Sequence, residues 1–153
     1  MADFDKRIQE LHLTLPPAPK PMAVYKPAVQ VGNLLFVSGH GPLKPDKSLI
    51  LGVVGKDLTL DQGKEAARQT GLAILATLKD HLGSLNKVKR LIKSFGMVNC
   101  TPDFADQPKV INGYSELMKD VFGDDAGVGA RSAVGHNSLP GGMAVEIEAI
   151  FEV

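Results

Sequence analysis

From Val145 to Val153 the chain alternates. Val145, Ile147, Ala149, Phe151 and Val153 are apolar, and Glu146, Glu148, Ile150 and Glu152 fill the positions between them. A two-residue period puts the two sets on opposite sides of a β-strand, and a helix would scatter both around its circumference. The odd-numbered side must therefore lie on a core. Just upstream, residues 128–136 read as a second short strand with Arg131 near its start, joined to the first by a Leu139-Pro140-Gly141-Gly142 turn. On this reading Arg131 and Glu146 stand on neighbouring strands.

The remaining elements follow from local signals. Phe4, Ile8, Leu11 and Leu15 recur at helical spacing, and four prolines between Pro16 and Pro21 then stop the helix and stiffen the chain. Residues 1–22 are thus a helix and a Pro-rich connector, and residues 23–153 a single α+β domain. Residues 23–39 predict a β-hairpin turning at Gly32-Asn33, its second strand apolar on both faces and so interior. Thr59-Leu60-Asp61-Gln62 has capping-box spacing and opens a helix that ends at Gly83. Gly63 and Gly71 on its apolar stripe predict close packing onto a sheet. Residues 88–100 read as a long strand, residues from Pro102 as a second long helix, and 123–129 as a flexible loop.

This order predicts a mixed sheet with two long helices on one face. Ile150 on the polar side of the last strand, with Leu35, Val37, Ile92 and Val98 assigned to that side by parity, makes the uncovered face partly apolar. Such a face predicts burial against another subunit.

Composition removes several function classes. Seventeen basic residues balance seventeen acidic ones, and six Phe, two Tyr and no Trp leave little for base stacking, so nothing recommends a nucleic-acid surface. The single Cys100 excludes an internal disulfide, and the four His (12, 40, 81, 136) lack ligand spacing, so no metal is expected. The acidic opening Met-Ala-Asp-Phe-Asp lacks the apolar run of a signal peptide, and no apolar run has membrane-spanning length. A cytoplasmic protein is expected.

No phosphate-binding glycine loop, zinc-protease helix or serine-nucleophile elbow occurs. Cys100 reads first as a small residue ending a strand, and His136 as a turn histidine or a proton shuttle. Arg131 is either an end-of-strand surface charge or a guanidinium fork held for a planar anion. Glu146 is either a solvated strand carboxylate or a general base that positions water.

Ala130-Arg131-Ser132, Leu139-Pro140 and Val145-Glu146-Ile147-Glu148-Ala149, with Gly32-Asn33 and Val37-Ser38-Gly39 upstream, resemble the reactive intermediate deaminase (Rid) family, also called the L-PSP endoribonuclease family. The resemblance spans about residues 23–153. It implies a chorismate-mutase-like fold, a homotrimer with a site in each cleft between subunits, and no metal or organic cofactor. The implied reaction is hydrolysis of 2-imino and 2-enamino acids to 2-oxo acids and ammonia. Carried over by position, Arg131 would clamp the substrate carboxylate and Glu146 would position the attacking water. Tyr25, Ser38, Gly39 and Asn112 would line the substrate pocket. Ala133 would do so through its backbone N–H, since it stands where the family has a cysteine. Ala133, the N-terminal extension and the 124–128 loop mark a divergent branch. The resemblance leaves two alternatives: a trimeric small-carboxylate-binding protein without turnover, and an endoribonuclease or translation inhibitor.

Overall fold

The computed structural model describes residues 1–153. The alternating C-terminal stretch is strand β5 (Val145–Glu152), at the centre of a five-stranded sheet. The other strands are β1 (Ala28–Val31), β2 (Leu34–His40), β3 (Arg90–Asn99) and β4 (Ala130–His136), in the order β1-β2-β5-β3-β4. Only β3 and β4 run parallel; the other neighbours are antiparallel. Gly32 makes the hairpin turn with a left-handed φ of 60°.

Helices α2 (Leu60–Leu82) and α3 (Gln107–Ala126) cover one face of the sheet. The Thr59 side chain accepts from the Gln62 N–H at 3.2 Å, and the Gln62 side chain accepts from the Thr59 N–H at 2.9 Å. Gly83 closes α2 with a φ of 81°. Gly71 serves a helix–helix approach rather than a helix–sheet one, since a Cβ there would lie 2.8 Å from Leu117 of α3. Leu35, Val37, Ile147 and Phe151 of the sheet join Ile74, Leu78, Ile111 and Leu117 of the helices in one buried cluster. Truncating a side chain buried as completely as Phe151 costs roughly 3–5 kcal/mol. The short helix α1 (Phe4–Glu10) docks on α3, with the Phe4 ring edge-on to Phe122 at 4.9 Å, and Ile8 enters the same cluster. No helix is long and apolar enough to cross a membrane.

Several expectations are corrected. The last two strands do not pair: β3 lies between them, and residues 137–144 cross over its end. Strand β1 begins at Ala28, not near Val24, because Pro27 has no N–H to give a ladder; Val24 and Tyr25 lie exposed before it. Helix α3 begins at Gln107, with Pro108 in its first turn, where a missing N–H costs nothing. Its helical run continues to Ala126 past a break at Gly123, φ 87°, where a flexible loop was expected. Leu35, Val37 and Val98 are buried under the helices, and Ile92 sits at a shift in the β3–β5 register. The apolar residues of the open face are instead Val29 and Phe36, 46% and 42% exposed, with Ile150, Phe95 and Met97.

Candidate functional site

Strand β4 is the edge of the sheet, and Arg131 lies there in register with Ser94 of β3. Ser94 is buried on the helix side, bonded to the Tyr114 hydroxyl of α3 at 2.9 Å, so Arg131 shares that side. Its guanidinium reaches α3. Nη1 donates to Asn112 Oδ1 at 2.8 Å and to Ser115 Oγ at 3.0 Å, and Nη2 donates to the Pro108 carbonyl at 3.4 Å. Asn112 and Ser115 are three residues apart, which places both on one face of the helix. No carboxylate pairs with Arg131, so its charge is uncompensated. Its Nε–H and one Nη2–H have no partner in the chain; Nε and Nη2 share the side-on edge of the guanidinium, which fits a carboxylate. Ala133 follows on the same side, in register with Gly96 and packed at the margin of the core.

Glu146 lies on the opposite side. It opposes Met97 of β3 on the open face and sits against the backbone of Gly39, where a Cβ would meet its Oε1 and come within 3.1 Å of its Cδ. Partial burial pushes the Glu146 carboxyl above its ordinary value, and the charge of Glu148 pushes the same way. His136, at the end of β4, pulls it back down.

The residues near Glu146 are tied together through the backbone. The Ser38 hydroxyl donates to the Lys26 carbonyl at 2.6 Å, and the Ser38 N–H donates to the Pro27 carbonyl at 2.9 Å. Tyr25 is thereby held beside the Ser38-Gly39 segment, exposed. Behind it lies buried His40, whose Nδ1 bonds the Ser38 carbonyl at 2.6 Å and whose Nε2 bonds the Thr77 hydroxyl at 2.7 Å. A carbonyl can only accept, so the proton is on Nδ1, and burial lowers the pKa of the ring and keeps it neutral. His40 thus pins the strand bend that presents Gly39.

The structure therefore forms two groups. Arg131, Asn112 and Ala133 stand at the β4 edge on the helix side; Gly39 and Glu146, with Ser38 and Tyr25 beside them, stand across the sheet. It does not bring the two together within one chain, because β3 separates β4 from β5 and the key side chains point to opposite faces. Ser115 was not singled out from the sequence, although its spacing from Asn112 could have found it. Cys100 is buried at the end of β3, 3.7 Å from the Gln107 amide. No cluster of His, Cys, Asp or Glu is placed to hold a metal ion.

Residues 5–143 match the family model described as "YjgF/chorismate_mutase-like, putative endoribonuclease". The chain belongs to the Rid (YjgF) family. Among family relatives, Protein TCP17 of Trypanosoma cruzi is 39% identical over 146 residues, covering 95% of this chain and 91% of that protein. A crystal structure of an Agrobacterium tumefaciens protein of unknown function is 40% identical, with a TM-score of 0.88 over 98% of this chain and 91% of that one. A protein of Dermatophagoides farinae named 2-iminobutanoate/2-iminopropanoate deaminase is 28% identical over 142 residues, covering 92% of this chain and 94% of that protein. The family match begins within α1, so the Pro-rich connector lies inside the matched region.

Proposed function

We propose that the protein hydrolyses reactive 2-imino and 2-enamino acids to 2-oxo acids and ammonia, in clefts between the copies of a homotrimer. The observation that carries this is Arg131: a cation anchored by neutral groups alone, with Nε–H and one Nη2–H donor left over. A 2-imino acid offers a planar carboxylate to that pair, and its C=N carbon lies one bond away. The name of the Dermatophagoides farinae relative supports the same chemistry.

Glu146 takes the other half of the reaction. Its carboxylate holds a water over C2 and accepts a proton as the water oxygen bonds to that carbon. The carbinolamine so formed receives the proton on nitrogen. The hydroxyl proton of the carbinolamine then passes through Glu146 to the nitrogen, the C–N bond breaks as C=O forms, and ammonia leaves. An activated imine hydrolyses unaided, so holding water and carbon in register is enough, and no covalent nucleophile is needed. Within one chain the two groups face apart, and the half-exposed Phe36 and Val29 beside Glu146's strand call for cover. A second copy laid on that face supplies the cover and brings its own Arg131 edge to the first copy's Glu146. Tyr25, Ser38, Gly39, Asn112 and the Ala133 backbone line the cleft. Three copies give a particle of 3 × 16.3 kDa, about 49 kDa, measurable by light scattering.

Ala133, which brings no thiol, favours a second reading: a carboxylate-binding trimer without turnover. To test the proposal, 2-aminoacrylate is generated with a serine dehydratase and the surviving imine is trapped. Wild-type protein is expected to speed imine loss, and Arg131→Ala to lower kcat/KM roughly 10²–10³-fold through loss of two charge-assisted bonds. No acceleration by the wild type would overturn the deaminase reading. Binding of 2-oxobutyrate that Arg131→Ala abolishes would then establish the second.

A further inference from the structure

We infer that Ser115 is a positioning residue that fixes which edge of the Arg131 guanidinium meets the substrate; the inference rests on the deaminase reading of the site. Nη1 carries two hydrogens, and both are spent, one on Asn112 Oδ1 at 2.8 Å and one on Ser115 Oγ at 3.0 Å. The Pro108 carbonyl at 3.4 Å takes one hydrogen of Nη2. Anchors on two nitrogens set both the plane and the rotation of the group. What remains is the Nε–Nη2 edge, so the substrate carboxylate is read side-on. With Ser115 removed, one Nη1 hydrogen is released. The group can then turn about its remaining anchors, and the end-on edge competes for the same carboxylate.

The chemistry of the hydroxyl matters as much as its place. Serine accepts from Nη1 without cancelling the guanidinium charge, so Arg131 keeps its attraction for an anion. A carboxylate in that position would satisfy the same nitrogen and close the site electrostatically. The helix itself has no use for a serine here. Ser115 lies in the middle of α3, where alanine is the better helix former, and none of its neighbours in the core depends on the hydroxyl.

The test uses the full-length protein and two readouts: imine loss, giving kcat and KM, and calorimetric binding of 2-oxobutyrate. Ser115→Ala is expected to raise KM and the 2-oxobutyrate Kd roughly three- to tenfold, with kcat changed far less, as one hydrogen bond is lost. Ser115→Thr keeps the acceptor and is expected to restore both constants. Ser115→Asp is expected to bind 2-oxobutyrate no better than Arg131→Ala does, although it retains the arginine. Wild-type KM and Kd in Ser115→Ala, or undiminished binding in Ser115→Asp, would overturn the inference. A wild type that neither binds 2-oxobutyrate nor speeds imine loss would instead remove the deaminase reading, and this role with it.

Discussion

The Arg131 guanidinium bonds three groups of α3 and meets no carboxylate, whereas the Glu146 carboxylate rests on a glycine backbone and takes no donor. The first is finished within the chain. Its anchors all come from α3, a helix that the hydrophobic cluster already holds in place. The second is left open. It lies on a sheet face that the chain's own helices never reach, next to a second carboxylate, and partial burial already raises its pKa. A fold that completes one half of a site and leaves the other uncovered is suited to meeting a copy of itself. Under the proposed function, preorganisation lies with the group that binds, and the environment of the group that reacts is set at assembly.

Three substitutions separate the halves, from the largest expected effect to the smallest. Glu146→Gln keeps the shape of the side chain and removes the proton acceptor. It is expected to lower kcat roughly 10²–10⁴-fold while leaving 2-oxobutyrate binding near the wild-type value. Equal losses in binding would merge the two halves and break the distinction. Gly39→Ala places a methyl where the Glu146 carboxylate now lies, so the carboxylate must move. A drop of about tenfold in kcat, again with little change in binding, is expected from a displacement of that size. Wild-type kinetics would mean that the seat on Gly39 plays no part.

The smallest effect is one of pH. In the proposed reaction Glu146 works ionised, so kcat/KM is expected to fall as pH drops through its pKa. Because that pKa is raised, the fall is expected above the ordinary carboxylate range. His136 lowers the Glu146 pKa through its charge, so His136→Gln is expected to move the acid limb to higher pH. Ser115→Ala acts on the other half and is expected to leave the limb where it is. A shift toward lower pH in His136→Gln would contradict the electrostatic sign.

The parts of this molecule that were legible in the sequence are the local ones. The Thr59 capping box, the Gly83 stop, the Gly32 turn and the alternation of β5 each rest on a few consecutive residues, and each stands in the fold. Strand neighbours are set by distant contacts instead. Leu139-Pro140-Gly141-Gly142 has the composition of a hairpin turn, yet its strands are held apart by β3, which arrives some forty residues earlier in the chain. Parity along a strand divides residues into two sets but does not say which set meets the helices, and so Leu35, Val37 and Val98 were assigned to the wrong face. For the candidate site, Arg131, Asn112 and Glu146 were readable from the family pattern, but the bond from Arg131 to Asn112 was not. The opposed faces of Arg131 and Glu146 were not, since they depend on sheet order. Ser115 offered only its three-residue spacing from Asn112, a signal that carries meaning once the direction of the arginine is known.

The claim that each site is assembled from two chains is tested most directly by mixing two inactive variants. Arg131→Ala and Glu146→Gln are co-expressed and purified as one assembly. If each cleft takes Arg131 from one copy and Glu146 from another, random assembly leaves about one quarter of the clefts with both intact. Imine hydrolysis is then expected to recover to roughly that fraction of the wild-type rate. Activity in the mixed assembly no higher than in either variant alone would place both residues' work within a single chain and contradict the account.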